Sequence, residues 1–294
     1  MDVMAALKEA GFHRVIPVDA RQVDGLDHGT LLLALWFYRA EREPDMTGAW
    51  IHPYYFASQQ AYMAASRVVR EAQSAGVGVT LRDKVRVKPV FARLPGFTQG
   101  RNTLSYAEGM GSRFHVQMLL LEDALSETIP LEEAPHALHC GDCRACMAAC
   151  PNQAIDEAGF HRERCIRNWM MSGKPIPEDV RRAMGSRLIG CDECQRCCPH
   201  NPPPEGEQAP SLPLEKLLRE PKAAAEALRP LIGANLTIPN RVLSQACVMA
   251  GSTGDASLLP LLAGLAEHPS PTVREHAAWA HRVIRAREEE RLCR

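Results

Sequence analysis

Residues 139–151 read HCGDCRACMAACP, a run whose cysteines are spaced C-x2-C-x2-C-x3-C and are followed by proline. This is the bacterial ferredoxin spacing for a [4Fe–4S] cluster, and in two-cluster ferredoxins the fourth cysteine of such a run binds the other cluster. A second run, CDECQRCCPHN, occupies residues 191–201 and also contains a Cys-Pro step. The two runs predict a double [4Fe–4S] insert, and the rest of the chain is interpreted around it.

Clustered cysteines also occur in disulfide-stabilised secreted proteins and in zinc sites. Nine of the 11 cysteines lie between Cys140 and Cys198 inclusive. Structural zinc is usually bound by C-x2-C pairs that are well separated in sequence. Three short gaps between cysteines, followed by Cys-Pro, suit a cubane [4Fe–4S] cluster better, because each short loop can wrap one corner of the cluster. The spacing therefore favours iron–sulfur clusters and a reducing cytoplasm.

The second run lacks one ligand when it is counted back from its Cys-Pro end. The missing cysteine would stand at position 188, which is Leu188, and Cys165 is the obvious replacement. Cys197 also fits a C-x2-C-x2-C pattern, but Cys198 preserves the register of the first run, so Cys197 is predicted not to be a ligand. With the fourth ligands exchanged, one set is Cys140, Cys143, Cys146 and Cys198, and the other is Cys150, Cys165, Cys191 and Cys194.

The bulk composition is that of an ordinary soluble protein. The chain has 294 residues, a formal net charge of -1, 46% hydrophobic residues and 23% charged residues, which is enough for two or three modest domains. No apolar run reaches the roughly 18–20 residues of a membrane span, and the first residues lack the basic and apolar regions of a signal peptide. We expect a cytoplasmic monomer with no membrane partner.

The predicted fold class is a multi-domain α+β protein. Domain 1–130 is predicted to be α/β, because the pattern alternates between helices and strands. Its helices are predicted at 2–11 and 52–76, and its strands at 13–20, 30–40, 77–81, 85–92 and 113–123. The strand at 30–40 is continuously apolar, as in a strand that is buried on both faces of a sheet. The glycine-containing segment 94–114 is interpreted either as a loop that approaches a ligand or as a plain connector.

The remaining sequence predicts two further domains. Domain 131–205 carries the ferredoxin-like double-cluster motif, and the proline-rich segment 201–210 is a natural linker. Domain 211–294 has helical apolar spacing throughout, and its last helices resemble a HEAT-type repeat. Such a module either presents a surface to a macromolecule or acts as a structural cap.

Several motifs together resemble the epoxyqueuosine reductase family, with this chain as a shortened, divergent member. They are the two cysteine runs, GCDECQRCCPHN (190–201), GRNTL (100–104) and EHAAWA (275–280). The resemblance implies a cobalamin-dependent oxidoreductase with two [4Fe–4S] clusters that converts epoxyqueuosine to queuosine in tRNA. It also implies a cobalamin bed in the first domain, tRNA docking by the helical domain, and an electron donor such as ferredoxin or flavodoxin.

The same resemblance assigns residues to the cofactor. Gly100, Arg101, Asn102 and Thr103 stand where the family's G-K-N-T loop approaches the corrin. Asp192 stands where the second cluster comes near cobalamin. Cobalamin would provide a low-valent cobalt that no side chain can imitate.

One departure from the family concerns the proton donor. The family has an aspartate in V-D-x-x-P-V, whereas this chain reads VRVKPV with Arg86 in that place, and an arginine cannot act as a general acid near neutral pH. Asp83 lies three residues earlier, an offset that points to the opposite face of a strand. Tyr54, Tyr55 and Tyr106 are further candidates. Two alternatives follow: a related reductase with a different substrate, and a cobalamin-free [4Fe–4S] electron-transfer protein.

Overall fold

A computed structural model describes residues 1–42, 48–136, 140–208 and 212–293. The last two residues of the predicted linker 201–210, and residues 211 and 294 of the predicted helical domain, lie outside these ranges. The chain divides into two compact units. Unit 1 comprises Met1–Ala40, Phe56–Cys146 and Cys194–Pro204, and unit 2 comprises Glu41–Tyr55, Met147–Glu193 and Glu205–Arg294. The predicted domains 1–130, 131–205 and 211–294 stay predictions.

The strands and helices of the described residues follow in chain order. The strands are β1 (Arg14–Asp19), β2 (Thr30–Phe37), β3 (Trp50–Ile51), β4 (Val79–Leu81), β5 (Phe97–Gln99), β6 (Ser105–Ala107), β7 (Phe114–Leu121), β8 (Ile155–Asp156), β9 (Gly159–Phe160) and β10 (Arg187–Ile189). The α-helices are α1 (Val3–Glu9), α2 (Pro53–Ser74), α3 (Val87–Phe91), α4 (Ala145–Ala149), α5 (Ile166–Trp169), α6 (Glu178–Met184), α7 (Glu193–Arg196), α8 (Leu214–Arg219), α9 (Pro221–Ile232), α10 (Pro239–Thr253), α11 (Leu259–Gly264) and α12 (Pro271–Leu292).

Unit 1 is built on a sheet with the strand order β1-β2-β7-β4, in which every pairing is antiparallel. Strand β2 is central and buried on both faces, as its apolar run predicts. Leu32 and Ala34 join a core formed with α1 and α2. Leu31, Leu33 and Leu35 join a second core, formed with α3 and the glycine-containing segment 94–114. That segment is thus held by the core at its ends.

The strand predicted at 85–92 is wrong, because residues 87–91 form the short helix α3. The alternating pattern V-R-V-K-P-V suggested a strand, but Pro89 cannot donate to a strand ladder. At the third position of a helix the missing N–H costs nothing, since the first N–H groups have no partner within the helix. The adjacent residues Val90 and Phe91 are both buried, which a half-buried strand would not permit.

Unit 2 is mainly helical. Strand β10 pairs in parallel with β3, and β8 pairs with β9 in a short hairpin. Helices α9, α10 and α12 each begin at a proline, the first-turn position where its fixed φ is favourable. The helices predicted in this part of the chain are confirmed, whereas the HEAT-type comparison stays a prediction. Cys247 lies fully buried in α10, as its apolar surroundings predict.

A buried histidine ties the helices of unit 2 to an irregular segment. The Nε2 of His276 accepts a hydrogen bond from the backbone N–H of Ile176 at 3.0 Å, and its Nδ1 lies 2.7 Å from the hydroxyl of Ser244. Burial lowers the pKa of His276 to about 4, so the ring is neutral at physiological pH.

Among the described residues, no helix combines the length and apolarity that a membrane crossing needs.

The contact between α10 and α12 depends on a glycine. A Cβ added at Gly251 would stand 2.3 Å from the Trp279 ring, and Trp279 is itself buried. Gly264, which ends α11 with right-handed helical dihedral angles, has open space around the same position. The two glycines form a matched pair for testing the packing.

We predict that Gly251→Ala lowers the free energy of unfolding by about 1–3 kcal/mol, because the added methyl group overpacks the core. Gly264→Ala should leave it unchanged or raise it by roughly 0.5–1 kcal/mol, since alanine is the better helix former. Urea unfolding followed by circular dichroism, at matched iron content, measures both values. Equal unfolding free energies for the two variants would refute the packing described here.

Candidate metal centre

The first predicted ligand set lies entirely in unit 1. Cys140, Cys143, Cys146 and Cys198 are free thiols of intermediate exposure. The pKa of the Cys146 thiol is raised by burial and, after that, by the charges of the Cys140, Cys198 and Cys143 thiolates. Cys198 is therefore in the neighbourhood of three cysteines that precede it by more than 50 positions in the sequence.

Two hydrogen bonds are directed at the sulfurs of this set. The backbone N–H of Arg101 donates to Cys140 Sγ at 3.1 Å. The hydroxyl of Tyr106 donates to Cys198 Sγ at 3.2 Å. Hydrogen bonds of this kind stabilise negative charge on a ligand sulfur and help to set cluster potentials. The arrangement thus suits thiolates better than neutral thiols.

The loop predicted to approach a corrin contacts the cysteine segment. The Asn102 amide donates to the Tyr106 hydroxyl at 3.0 Å and to the Cys194 carbonyl at 3.2 Å. A Cβ at Gly100 would stand 2.6 Å from the Tyr106 ring and 2.7 Å from Asn102 Oδ1, so a glycine is needed there. Thr103 has a φ of 62°, a conformation that is strained for a β-branched residue. The Asn102 amide and the backbone N–H of Arg101 therefore position Tyr106 and the cysteines.

A second hydrogen-bonded network holds the segment around Cys198. Asn201 Oδ1 accepts from the Ser112 N–H at 2.7 Å, and the Asn201 amide donates to the Gln195 carbonyl at 2.7 Å. The Gln195 amide donates to the Ser112 carbonyl at 3.0 Å, and Arg113 donates to the Pro202 carbonyl. These hydrogen bonds hold the chain before and after Cys198 and so fix the position of its thiol.

A cavity of about 550 Å³ opens in unit 1 beside these residues. It borders the ring of Tyr106 and the residues that follow Cys198, so a ligand bound there would lie one side chain away from a predicted cluster ligand. The lining comprises Gly96, Phe97, Thr98, Tyr106, Ala107, Glu108, Gly109, Gly111, His136, His200, Asn201 and Pro202.

Three members of the second predicted set lie in unit 2, namely Cys150, Cys165 and Cys191, whereas Cys194 begins the last segment of unit 1. Cys150 Sγ accepts a hydrogen bond from the Ala154 N–H at 3.2 Å. Cys165 stands at the N-terminal end of α5. Cys191 follows β10, and burial raises the pKa of its thiol to about 12. Cluster assembly there must expel the thiol proton, as metal binding to cysteine does in general.

Tyr55, a proton-donor candidate, lies in unit 2 close to two of these cysteines. A Cβ added at Gly190 would stand 2.8 Å from the Tyr55 ring. The Arg167 guanidinium lies 5.3 Å from the centroid of the same ring. Burial raises the pKa of Tyr55, the positive charge of Arg167 opposes this effect, and Tyr54 and then Cys165 add to it. Its neighbour Tyr54 also has a pKa raised by burial. Asp192 is buried next to Cys191.

Arg86 and Asp83 are both exposed and lie in the turn between β4 and α3. The prediction that strand geometry turns Asp83 away from the site is wrong, since neither residue is on a strand. Sequence reasoning missed Lys88, whose Nζ donates to the Thr103 carbonyl at 2.7 Å. Burial lowers the pKa of Lys88. The partner of Lys88 is a backbone carbonyl, and no sequence motif predicts such a contact.

The chemistry of the cysteine runs is decided by comparison with known families. All 11 cysteines are free thiols. Within the described part of the chain, no three or more His, Cys, Asp or Glu side chains converge on a single-ion position. Residues 139–201 match the family described as the 4Fe-4S double cluster binding domain. The protein is thus an iron–sulfur protein with a site for two [4Fe–4S] clusters.

Similar curated proteins indicate which double-cluster proteins this chain resembles. The chain is 35% identical over 203 residues to an epoxyqueuosine reductase of Alicycliphilus denitrificans, an alignment that covers 62% of this chain and 54% of that protein. The chain therefore spans about half the length of this relative. Within the double-cluster class, the chain is a divergent relative of the epoxyqueuosine reductases.

Solved structures show the same fold. An epoxyqueuosine reductase bound to a tRNA-Tyr stem loop modified with epoxyqueuosine superposes with a TM-score of 0.71 at 18% identity, covering 96% of this chain and 89% of that one. The Bacillus subtilis enzyme, with its catalytic aspartate loop swung out of the active site, gives a TM-score of 0.70 at 17% identity and the same coverages. These similarities establish a mixed α/β fold shared with the reductases.

The two adjacent cysteines of the second run test the ligand assignment. We predict that Cys198→Ser loses roughly half of the bound iron, because one of two four-iron clusters loses a ligand. Cys197→Ser, the matched control, should retain all of it. Iron and sulfide analysis with the visible spectrum after anaerobic purification measures both. Iron loss from Cys197→Ser with full retention by Cys198→Ser would reverse the assignment.

Proposed function

We propose that this protein is an iron–sulfur reductase that acts on tRNA and converts epoxyqueuosine to queuosine. One observation carries the proposal: a double-cluster domain stands within a chain that is 35% identical, over 62% of its length, to an epoxyqueuosine reductase. The shared fold, which in one neighbour holds a modified tRNA stem loop, supports the same substrate class.

The proposed ligand sets are those given by the spacing of the cysteines. Cys140, Cys143, Cys146 and Cys198 hold one cluster, and Cys150, Cys165, Cys191 and Cys194 hold the other. The mutual influence of the four thiols in unit 1 supports the first set. Removing the epoxide oxygen as water and restoring the alkene consumes two electrons and two protons. Two one-electron clusters, when bound, match that electron count.

The proposal includes cobalamin as a cofactor. The size and lining of the cavity in unit 1 show how far cobalamin could fit there. Cavities of about 300–1,000 Å³ hold drug-sized ligands, and a corrin with its nucleotide tail is larger than these. The cavity of about 550 Å³ is therefore too small for the whole of cobalamin, and residues 100–103, which the resemblance assigns to the corrin, are not part of its lining. The glycines of the lining allow a ligand to approach the backbone closely. When bound, cobalamin would supply a strongly reducing metal centre.

The protons must come from groups other than the family's aspartate. Arg86 holds its proton at neutral pH, and it is exposed. Tyr106 has a raised pKa, through burial first and its bond to Cys198 second, so its hydroxyl stays protonated. Lys88 is exposed, but partial burial of its ammonium group lowers its pKa, which makes it a further candidate donor in unit 1. Its Nζ already donates to the Thr103 carbonyl.

The same proposal covers the partners. We place the reaction in the cytoplasm, with a monomeric protein that receives electrons from a ferredoxin or flavodoxin. The helical part of unit 2, which resembles a HEAT-type module in sequence, is proposed to contribute to tRNA docking. Binding to phosphates should then weaken steeply as the salt concentration rises.

A second candidate is a related reductase that acts on a different substrate. The observation that favours it is the exposed Arg86 at the position of the family's aspartate. The cobalamin-free electron-transfer protein is the other alternative, and it differs from both reductases because it retains no corrin.

The decisive assay uses the anaerobically purified protein with reconstituted clusters, added cobalamin, a chemical reductant and tRNA that carries epoxyqueuosine. We expect nucleoside mass spectrometry to show the loss of one oxygen atom and the appearance of queuosine. The reaction should stop when Cys165→Ser replaces the wild type, since one cluster is then missing.

Three results separate the alternatives. Retained corrin with unchanged epoxyqueuosine, although both clusters are reduced, would favour a different substrate. Clusters that reduce without any retained corrin would favour the electron-transfer protein. Conversion by the Cys165→Ser variant at the wild-type rate would contradict the proposed use of two clusters.

A further inference from the structure

Tyr106 connects the cavity of unit 1 to a predicted cluster ligand. Its side chain is 6% exposed, its ring lines the cavity, and its hydroxyl donates to Cys198 Sγ at 3.2 Å. The ring also meets His200 edge to face, with centroids 6.5 Å apart. Tyr38, another buried tyrosine of the same unit, donates its hydroxyl proton to Gln195 Oε1 at 3.3 Å.

The direction of the Tyr106 hydroxyl proton is set by its neighbour. Asn102 is 5% exposed, and its amide donates to the Tyr106 oxygen at 3.0 Å. An amide N–H has no lone pair, so the tyrosine must be the acceptor in this bond. The hydroxyl donates its proton to the Cys198 sulfur, and the Ser112 side chain is a further hydrogen-bond partner of the Tyr106 oxygen. Gly100 makes this geometry possible, because any Cβ there would displace both side chains.

A hydrogen bond to a ligand sulfur acts on the two oxidation states unequally. Adding an electron to a thiolate-bound cluster increases the negative charge on its sulfurs, and a donor stabilises the more negative state more strongly. The reduction potential of the cluster therefore rises with each such bond. Hydrogen bonds to the sulfurs belong to the outer-shell contacts that tune a metal site.

We propose that Tyr106 is a positioning residue that raises the reduction potential of the cluster held by Cys140, Cys143, Cys146 and Cys198, and that Asn102 orients it for this purpose. The inference rests on the proposed assignment of Cys198 as a ligand. It makes the cluster nearest the cavity easier to reduce than it would be without this hydrogen bond. A ligand that packs against the Tyr106 ring would act on the same bond.

The test is a redox titration of the anaerobically purified protein, monitored by electron paramagnetic resonance. We expect Tyr106→Phe to keep both clusters and to lower the midpoint potential of one of them. The shift should correspond to at least about a threefold smaller equilibrium constant for one-electron reduction, roughly 28 mV at 59 mV per tenfold. The other midpoint should stay at the wild-type value.

Tyr38→Phe is the matched control, since it removes the hydroxyl of a second buried tyrosine of unit 1, which donates to Gln195 Oε1. Both of its midpoints should equal those of the wild type. Asn102→Ala keeps the hydroxyl and removes its orienting donor, together with the bond to the Cys194 carbonyl, so it should shift the same midpoint downward by less. This variant carries the test if Tyr106→Phe fails to retain iron.

Unchanged midpoints in Tyr106→Phe, or in Asn102→Ala where it stands in, would overturn the inference. So would an equal shift in Tyr38→Phe. These results differ from a failure of the ligand assignment, which would show as full iron retention in Cys198→Ser. Conversion of epoxyqueuosine is not needed for any of these measurements, so the inference and the proposed substrate fail independently.

Discussion

The hydrogen bonds that join the loop of residues 100–113 to the segment of residues 194–202 are the interaction on which the candidate centre depends. Cys140 and Cys198 are far apart in the sequence, and a cluster can form only if their thiols are held at fixed positions. Tyr106 binds the sulfur of Cys198 directly, and Asn201 and Ser112 bind each other beside it. The loop in turn is anchored because Phe97 and Met110 belong to the core under the sheet.

Patterns that depend on burial could be predicted from the sequence. The apolar run of β2 predicted a strand with two buried faces, and the sheet confirms it. The cysteine spacing predicted the double-cluster domain, which the family match bears out. The segment 85–92 was misassigned because alternating side chains satisfy a strand and a short helix alike. Pro89 has no N–H, and this excludes a strand only where that position would have to donate to a neighbouring strand.

Contacts between residues distant in sequence could not be predicted. The G-R-N-T loop looked like a ligand-binding loop, and its resemblance pointed to a corrin. Only the structure shows that Asn102 serves Tyr106 and that Tyr106 reaches a cysteine 92 positions away. Lys88 was missed for the same reason, since its partner is a backbone carbonyl. A side chain whose partner lies far away in the sequence follows no periodic pattern, so a single sequence does not reveal the contact.

The central claim is that Cys165 completes the interrupted second run and that the chain holds two four-iron clusters. The most direct test compares iron, sulfide and electron paramagnetic resonance spectra of the wild type, Cys165→Ser and the exposed control Cys293→Ser. Two clusters of four irons give about eight irons per chain in the wild type and in Cys293→Ser. The account predicts that Cys165→Ser keeps the signal of one cluster and loses that of the other. Full iron content with both signals intact in Cys165→Ser would contradict it.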